Sequence, residues 1–311
     1  MNCRQIYRMA IYTVKLIRFK ELSMTKQSKF RLFVYSVTTL LFYSVSGFLP
    51  VSAFTESSVP GGVTIVNLGS ASEPRPQARF GSKKIMVIQR DGKWKGLVGL
   101  SLKTLPGDYI VSYKAGEKSS SDNEISIKVQ PKTYPEQRIK MKQKKYVSPN
   151  EEQLARIKKE NKHMGKLFKI WRDTDVSVDL SWPVNGPVSS PFGLRRFFND
   201  QPRNPHSGID IAAPEGTDIK LPSDGTIIDT GNYYFNGKTV FVDHGQGMIS
   251  MFNHMSKITV KAGDKLKRGD KIGEVGQTGR VTGPHLHWSL NLNQARVNPM
   301  LFLPEKKKGK F

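Results

Sequence analysis

Five of the six histidines of this 311-residue chain lie between His206 and His287, in a segment rich in glycine. His206 is followed by Asp210 after three intervening residues, and a single leucine separates His285 from His287. Alternate side chains of a β-strand share one face, so the last two imidazoles are expected to project into one cleft. His254 ends a further apolar run of the same segment.

This set of side chains matches the ligands that zinc accepts. Imidazole nitrogens and carboxylate oxygens bind zinc, and a catalytic site has three protein ligands with an open position for water. Two histidines and one aspartate fill that requirement. The His-x-x-x-Asp pattern and the His-x-His pattern together in one segment favour a metal site far more than either pattern alone. No His-Glu-x-x-His helix is present to supply a glutamate base, and a histidine of near-neutral pKa can do that work instead.

The elements that must position these residues are β-strands. Short β-rich runs separated by glycine turns continue from Trp182 to Phe302, which predicts an all-β domain over residues 182–303. Strands are predicted in it at Gly225 to Asp229, Thr239 to Asp243, Met248 to Asn253, Lys271 to Val275 and His285 to Asn291. Residues 304–311 are predicted to form a basic tail.

A second β-rich module is predicted at residues 54–131. Its strands are expected at Val63 to Val66, Lys84 to Ile88, Leu97 to Leu100, Tyr109 to Tyr113 and Ile125 to Val129. Several short strands with turn residues between them are typical of a small β-sandwich. The module lacks a cluster of titratable residues, so binding, spacing or occlusion is expected of it rather than chemistry. The fold class is therefore mainly β.

Residues 132–181 are predicted to be a basic linker followed by a helix. Ser148 is expected to cap the helix, with Pro149 in the first helical position and Glu151 closing a capping box. An apolar stripe at helical spacing follows, formed by Leu154, Ile157, Met164, Leu167 and Trp171. His163 lies among lysines of this helix and is interpreted as a solvated surface residue.

The N-terminus carries the features of an export signal. Basic residues precede an apolar run, Leu32 to Leu49, and Val51 and Ala53 form a small-residue cleavage pattern. Residues 1–53 are therefore interpreted as a signal peptide whose true start is Met24, with a retained membrane anchor as the alternative. The sole cysteine, Cys3, lies upstream of the cut.

The chain is strongly basic before and after the expected cleavage. Its formal net charge is +23, and removal of the eight basic and one acidic residues of 1–53 leaves +16. A charge of this size suggests a polyanionic partner: nucleic acid, an anionic membrane surface or an acidic cell-wall polymer. An exported chain without a thiol favours the bacterial envelope over a nucleic-acid role.

Residues 182–303 resemble the lysostaphin/LytM-type zinc metallopeptidases. The matching motifs are His206-Ser207-Gly208-Ile209-Asp210, Phe252-Asn253-His254-Met255 and His285-Leu286-His287, with Ser190-Pro191-Phe192-Gly193 and Gly276-Gln277-Thr278-Gly279 beside them. The resemblance implies that His206, Asp210 and His287 hold Zn²⁺. It also implies that His254 and His285 are unligated histidines, which orient or deprotonate the metal-bound water. Phe252 and Met255 depart from the tyrosine and leucine that the family usually has there.

The same resemblance implies an endopeptidase that hydrolyses peptidoglycan cross-links. The bond expected from Gram-negative envelope members is D-Ala–diaminopimelate, and the protein would then be periplasmic. Arg195, Arg196 and Arg280 lie beside the motifs and could meet substrate carboxylates. His244 matches a family position that looks structural. The oligomeric state is left open.

Three other functions are compatible with parts of the sequence. A non-catalytic relative on the same scaffold could recruit or activate other wall enzymes, but it should have lost ligands, and all five key positions are intact. The run Gly263 to Gly273 resembles biotinyl and lipoyl carrier domains, yet no acceptor lysine in the expected setting is evident. A nucleic-acid binder would suit the charge, but a basic–aromatic motif is absent and no nucleic-acid partner is expected.

Overall fold

The protein is built mainly from β-strands, in a computed structural model that describes residues 54–115 and 122–305. The described residues hold 21 strands and one α-helix, which confirms the mainly-β prediction, and they belong to one compact unit, Ser52–Phe311. The predicted signal peptide and residues 306–311 of the predicted tail lie outside the described ranges. None of the helices within those ranges has the length and apolarity needed to span a membrane.

The N-terminal module consists of two antiparallel sheets around an apolar core. Its strands are β1 Val63–Ser70, β2 Gln77–Phe80, β3 Lys83–Lys84, β4 Met86–Arg90, β5 Lys93–Gly99, β6 Gly107–Lys114 and β7 Asn123–Val129. One sheet has the order β1-β5-β4 and the other β3-β2-β6-β7. Alternate residues such as Val66, Leu68 and Val98 face inward and form the core. This arrangement agrees with the predicted small sandwich.

The C-terminal region is dominated by an eight-stranded sheet. The strands of the region are β9 Val188–Ser190, β10 Arg195–Phe198, β11 Gln201–Pro202, β12 Ile209–Ala212, β13 Asp218–Lys220, β14 Gly225–Tyr233, β15 Gly237–Gly245, β16 Met248–Met255, β17 Lys257–Ile258, β18 Lys265–Leu266, β19 Lys271–Glu274, β20 His285–Leu292 and β21 Ala295–Val297. The large sheet runs β18-β14-β15-β16-β20-β12-β9, and β21 pairs with β20. Every predicted strand of this region is present.

The centre of this sheet is buried, so its polar side chains must find partners inside the protein. Phe252 of β16 and Trp288 of β20 stack with their ring centroids 6.3 Å apart. His244 of β15 is buried between the carbonyl of Asp224 and the hydroxyl of Ser250, each 2.8 Å from a ring nitrogen. These contacts agree with the structural role predicted for His244.

The segment between the two regions is more ordered than its composition predicted. Its residues Glu136–Ile139 form β8, which pairs in parallel with β10, so the lysine-rich linker includes a strand of a sheet. A short 3₁₀-helix, Lys144–Tyr146, follows, and then helix α1, Glu151–Leu167. The boundaries between module, linker and C-terminal domain stay a prediction.

Helix α1 begins two residues later than expected. Asn150, not Ser148, is the N-cap: its side chain accepts from the backbone of Gln153, whose side chain accepts in return from the backbone of Asn150. That reciprocal pair satisfies two backbone donors, so the cap predicted at Ser148 is wrong. The helix ends at Leu167, so Trp171, the last residue of the predicted apolar stripe, lies outside it.

The two β-rich regions are joined through a buried side chain. Asn293, in the turn between β20 and β21, accepts from the backbone N–H of Gly99 at 2.6 Å and donates to its carbonyl at 3.0 Å. Gly99 lies at the end of β5, so the bond bridges 194 residues of sequence. A Cβ at position 99 would lie 2.7 Å from the carbonyl oxygen of Leu292, which explains the glycine there.

We expect Asn293→Ala to lower the free energy of unfolding by about 2–4 kcal/mol, because both backbone groups of Gly99 lose their partner in a buried position. Urea unfolding of the full chain measures the change. Gln294→Ala is the matched control, since Gln294 is exposed in the same turn and also has a positive φ, 63° against 41° at Asn293. Equal midpoints for the two variants would show that the Gly99 bonds contribute nothing.

Candidate metal centre

Strand register brings Asp210 and His287 together. Asp210 of β12 is the direct cross-strand partner of His287 of β20. His206 lies in the loop before β12, where its backbone N–H donates to the carbonyl of Leu194 at 2.9 Å. The glycine at 208 lets this loop approach β20, because a Cβ there would collide with the carbonyl oxygen of Trp288.

Three ligand atoms of these residues converge on one point. Nε2 of His206 and Nδ1 of His287 lie 2.9 and 2.6 Å from Oδ1 of Asp210, and 2.9 Å from each other. All three residues are buried, and they form a group that could hold a metal ion. The three side chains predicted as ligands are thus brought together.

The other polar atom of each residue is held by the protein. Nδ1 of His206 lies 2.8 Å from the carbonyl oxygen of Pro191, and Nε2 of His287 lies 2.9 Å from the hydroxyl of Ser289. Oδ2 of Asp210 accepts from Nη2 of Arg196 at 2.8 Å. Outer partners of this kind fix the orientation of metal ligands. The donor set and its supports fit a divalent cation such as zinc.

The ionisation of these groups suits ligation as well. Burial alone would raise the pKa of Asp210, but the hydrogen bonds and charges of His206 and His287 outweigh it and hold the pKa well below its usual range. Burial lowers the pKa of His287 to about 4. A carboxylate beside a neutral imidazole is the protonation state in which these side chains bind metals.

His254 and His285 lie beside this group, and each is held through its Nδ1 atom. Their ring centroids are 4.9 Å apart, and Nε2 of His285 lies 3.8 Å from Oδ1 of Asp210. Nδ1 of His254 lies 2.8 Å from the carbonyl of Thr278, and Nδ1 of His285 lies 2.9 Å from that of Gly283. A carbonyl can only accept, so both Nδ1 atoms carry a proton, and in the neutral form of each ring Nε2 would hold the lone pair.

The backbone at His254 departs from a regular strand. Two residues of β16, Asn253 and His254, stand opposite Thr239 of β15 in a bulge, and His254 has a φ of 66°. Left-handed backbone is uncommon for residues other than glycine. The N–H of His254 donates to the carbonyl of Asn236 at 2.8 Å, which holds the bulge. Burial, and then the charges of the neighbouring histidines His285 and His287, keep the pKa of His254 well below its ordinary value.

The three arginines singled out in the sequence have different settings. Arg196 is tied to Asp210, whereas the exposed Arg195 pairs with Glu136 of β8. Arg280 lines the cleft beside the metal-binding group. His163, to which no role was assigned, is half exposed and lies 3.1 Å from Asp229.

The metal-binding group opens into a cleft of about 380 Å³. Helix α1 borders it with Asn161, Met164, Gly165 and with Phe168 at its C-terminal cap, and no lining residue comes from 54–131. Arg296 of β21 also lines the cleft, although no motif or spacing in the sequence pointed to it. Only the pairing of β21 with β20 places it there.

Two family models match the chain. Peptidase family M23 matches residues 204–299, and the Peptidase family M23 N-terminal domain matches residues 56–128. The first match contains all five predicted site residues. The second coincides with the N-terminal module.

Two bacterial proteins with assigned names are similar to this chain. The Peptidoglycan DD-endopeptidase ShyA of Vibrio cholerae is 42% identical over 40% of this chain and 28% of its own length. The DD-carboxypeptidase/endopeptidase Mpg of Neisseria meningitidis is 39% identical over 36% of this chain and 26% of its own. The match thus spans about a quarter of the length of these curated relatives.

A solved structure covers more of the chain. The crystal structure of a putative peptidase M23 from Pseudomonas aeruginosa is 40% identical, with a TM-score of 0.67. It covers 79% of this chain, and this chain covers 95% of it. The similarity therefore extends across the β-rich regions on both sides of the linker.

Proposed function

The chain belongs to peptidase family M23, and from this membership we propose that it is a zinc-dependent endopeptidase that cleaves peptide cross-links of peptidoglycan. The observation that carries the proposal is the convergence of His206, Asp210 and His287 on one point, with the rings of His254 and His285 beside it. The names of the relatives support the substrate class. We propose D-Ala–diaminopimelate as the bond that is cut.

His206, Asp210 and His287 would hold the metal, with Arg196 fixing the carboxylate. When bound, zinc lowers the pKa of a coordinated water and polarises the scissile carbonyl. The unprotonated Nε2 of His254 or of His285 can accept the proton that the attacking water releases. The same histidine can return that proton to the leaving amide nitrogen. The carbonyls of Thr278 and Gly283 keep both rings in the required tautomer.

The proposed substrate lies outside the cytoplasmic membrane, so the function requires export. The predicted signal peptide at 1–53 would supply it, and we propose a periplasmic location. The net charge of +16 that remains without residues 1–53 supports attraction to the anionic envelope, both to peptidoglycan and to a membrane surface. We propose no nucleic-acid partner.

We expect purified protein to release soluble fragments from murein sacculi, with mass spectra that identify the bond cut. Chelation should lower the rate at least about a hundredfold, because the water loses its activation, and added zinc should restore it. A zinc-loaded protein that leaves sacculi intact would contradict the proposal and favour the non-catalytic scaffold that recruits or activates other hydrolases.

A further inference from the structure

The side chains that line the cleft carry three guanidinium groups and no carboxylate. Arg196, Arg280 and Arg296 all border it, together with neutral polar residues such as Asn204 and Asn236. Asp210 does not line the cleft, but its carboxylate contacts the lining residues His206, His287 and Arg196. The cleft is therefore electropositive even before a cation joins the metal-binding group, and it favours an anionic occupant.

Arg196 is already engaged by the protein. Its Nη2 donates to Oδ2 of Asp210 at 2.8 Å and to the hydroxyl of Ser190 at 3.0 Å. Its Nε donates to Oε1 of Gln137 at 2.9 Å. These bonds position Asp210 through Arg196 and use N–H groups of its guanidinium. The positive charge available to an occupant of the cleft therefore comes from Arg280 and Arg296.

Arg280 has a different environment. Its guanidinium carbon lies 4.6 Å from the ring centroid of Phe198 and 4.2 Å from that of Phe235. Among the described residues no acidic group lies within ion-pair distance of it. Burial, followed by repulsion from Arg196 and Arg203, lowers its pKa to about 10. The protein thus places a charged group in a setting that disfavours its charge.

Arg296 has a similar arrangement. Its guanidinium carbon lies 3.7 Å from the ring centroid of Phe168, and its Nη2 lies 4.0 Å from the sulfur of Met251. Nη1 is buried and has no hydrogen-bond partner in the part of the chain that the structure describes. Buried N–H groups are nearly always paired, so this one calls for a ligand.

We propose that Arg280 and Arg296 are receptors for carboxylate groups of the substrate, and that they select peptides with free carboxylates over amidated ones. Stacking on an aromatic ring occupies the face of a guanidinium and leaves its N–H edge for two parallel bonds to a carboxylate. Stem peptides carry such groups on glutamate, diaminopimelate and the terminal alanine. The inference rests on the proposed function and names the part of the substrate that the cleft recognises.

Phe168 and Arg296 come from different elements, the cap of α1 and strand β21. Nη1 of Arg296 is covered in this arrangement, although Arg280 and Arg296 are both half-buried as whole residues. A carboxylate would therefore reach Nη1 by displacing part of its cover.

The test is calorimetric binding of two uncross-linked tetrapeptides to the full zinc-loaded chain. One peptide has free carboxylates and the other has the same sequence with its carboxyl groups amidated. We expect the free acid to bind at least about tenfold more tightly, the range of a charge-assisted bidentate contact. Arg280→Gln and Arg296→Gln should each reduce that preference to within about threefold.

Arg195→Gln is the matched control, because Arg195 is exposed, pairs with Glu136 and does not line the cleft. It should keep the wild-type preference. Arg280→Lys and Arg296→Lys preserve the positive charge but lack the planar guanidinium, so they should lose part of the preference for the free acid. Thermal melting checks that each variant is folded. Equal binding of acid and amide, binding of neither, or an unchanged preference in both glutamine variants would overturn the proposal.

The tetrapeptide lacks the cross-link that the proposed activity cleaves, so its binding to the protein is measured independently of cleavage. A chain that prefers the free acid but leaves sacculi intact would contradict the proposed function and keep the carboxylate receptors. A chain that digests sacculi without this preference would keep the function and exclude the receptors.

Discussion

Replacing His287 with alanine is expected to abolish stoichiometric zinc binding and to lower peptidoglycan cleavage by about a thousandfold or more. The reason is that Nδ1 of His287 is one of the three proposed ligand atoms; the other two are Oδ1 of Asp210 and Nε2 of His206. Two ligands leave the cation weakly held and poorly oriented. Zinc competition with a chromophoric chelator, and metal content after gel filtration, measure the loss.

His163→Ala is the control for this prediction. His163 is a half-exposed histidine on α1 that contacts Asp229 and not the metal-binding group, so its variant should keep one zinc and full activity. A His287→Ala protein that bound one zinc with wild-type affinity would show that the ligand assignment is wrong.

Replacing His285 with alanine should lower turnover while the protein still binds zinc, in contrast to His287→Ala, which should lose both. His285 stands two residues before His287 on β20, but its Nε2 lies 3.8 Å from the nearest oxygen of Asp210. Removing a positioned proton acceptor costs about a hundred- to ten-thousandfold in rate. We expect that loss in kcat, with KM little changed.

Metal content and kinetics on the same preparation check this second prediction. His285→Ala and His287→Ala differ by two positions on one strand, so each serves as the control of the other. Loss of zinc in His285→Ala would make His285 a ligand, and full activity would remove it from the mechanism. His254→Ala, with its ring beside that of His285, should behave like His285→Ala.

Much of the fold follows from the sequence because its central strands are apolar and long. Strands β15, β16 and β20 are almost fully buried, and apolar runs next to turn residues predict such strands from the sequence. Strands β8 and β10 were missed, since both are short and rich in charge. Their pairing depends on a contact between distant segments that no local pattern encodes.

The candidate site divides in the same way. The grouping of His206, Asp210 and His287 could be predicted because the motifs fall on strands that become neighbours. The bulge that redirects His254 depends on the register between β15 and β16, and the guanidinium of Arg296 reaches the cleft only through the turn after β20. Both features arise from tertiary geometry rather than from residue spacing.

The parallel pairing of β8 with β10 bears on how the enzyme could be processed. Gln137 of β8 holds Arg196, and Arg196 holds Asp210. A fragment starting at Trp182 would retain all five site residues but lose the hydrogen bond from Arg196 to Gln137. The upstream segment therefore helps to hold Asp210: proteolysis that removed β8 would also remove the Gln137 side chain that holds Arg196, so we expect a fragment without residues 54–181 to position Asp210 less firmly.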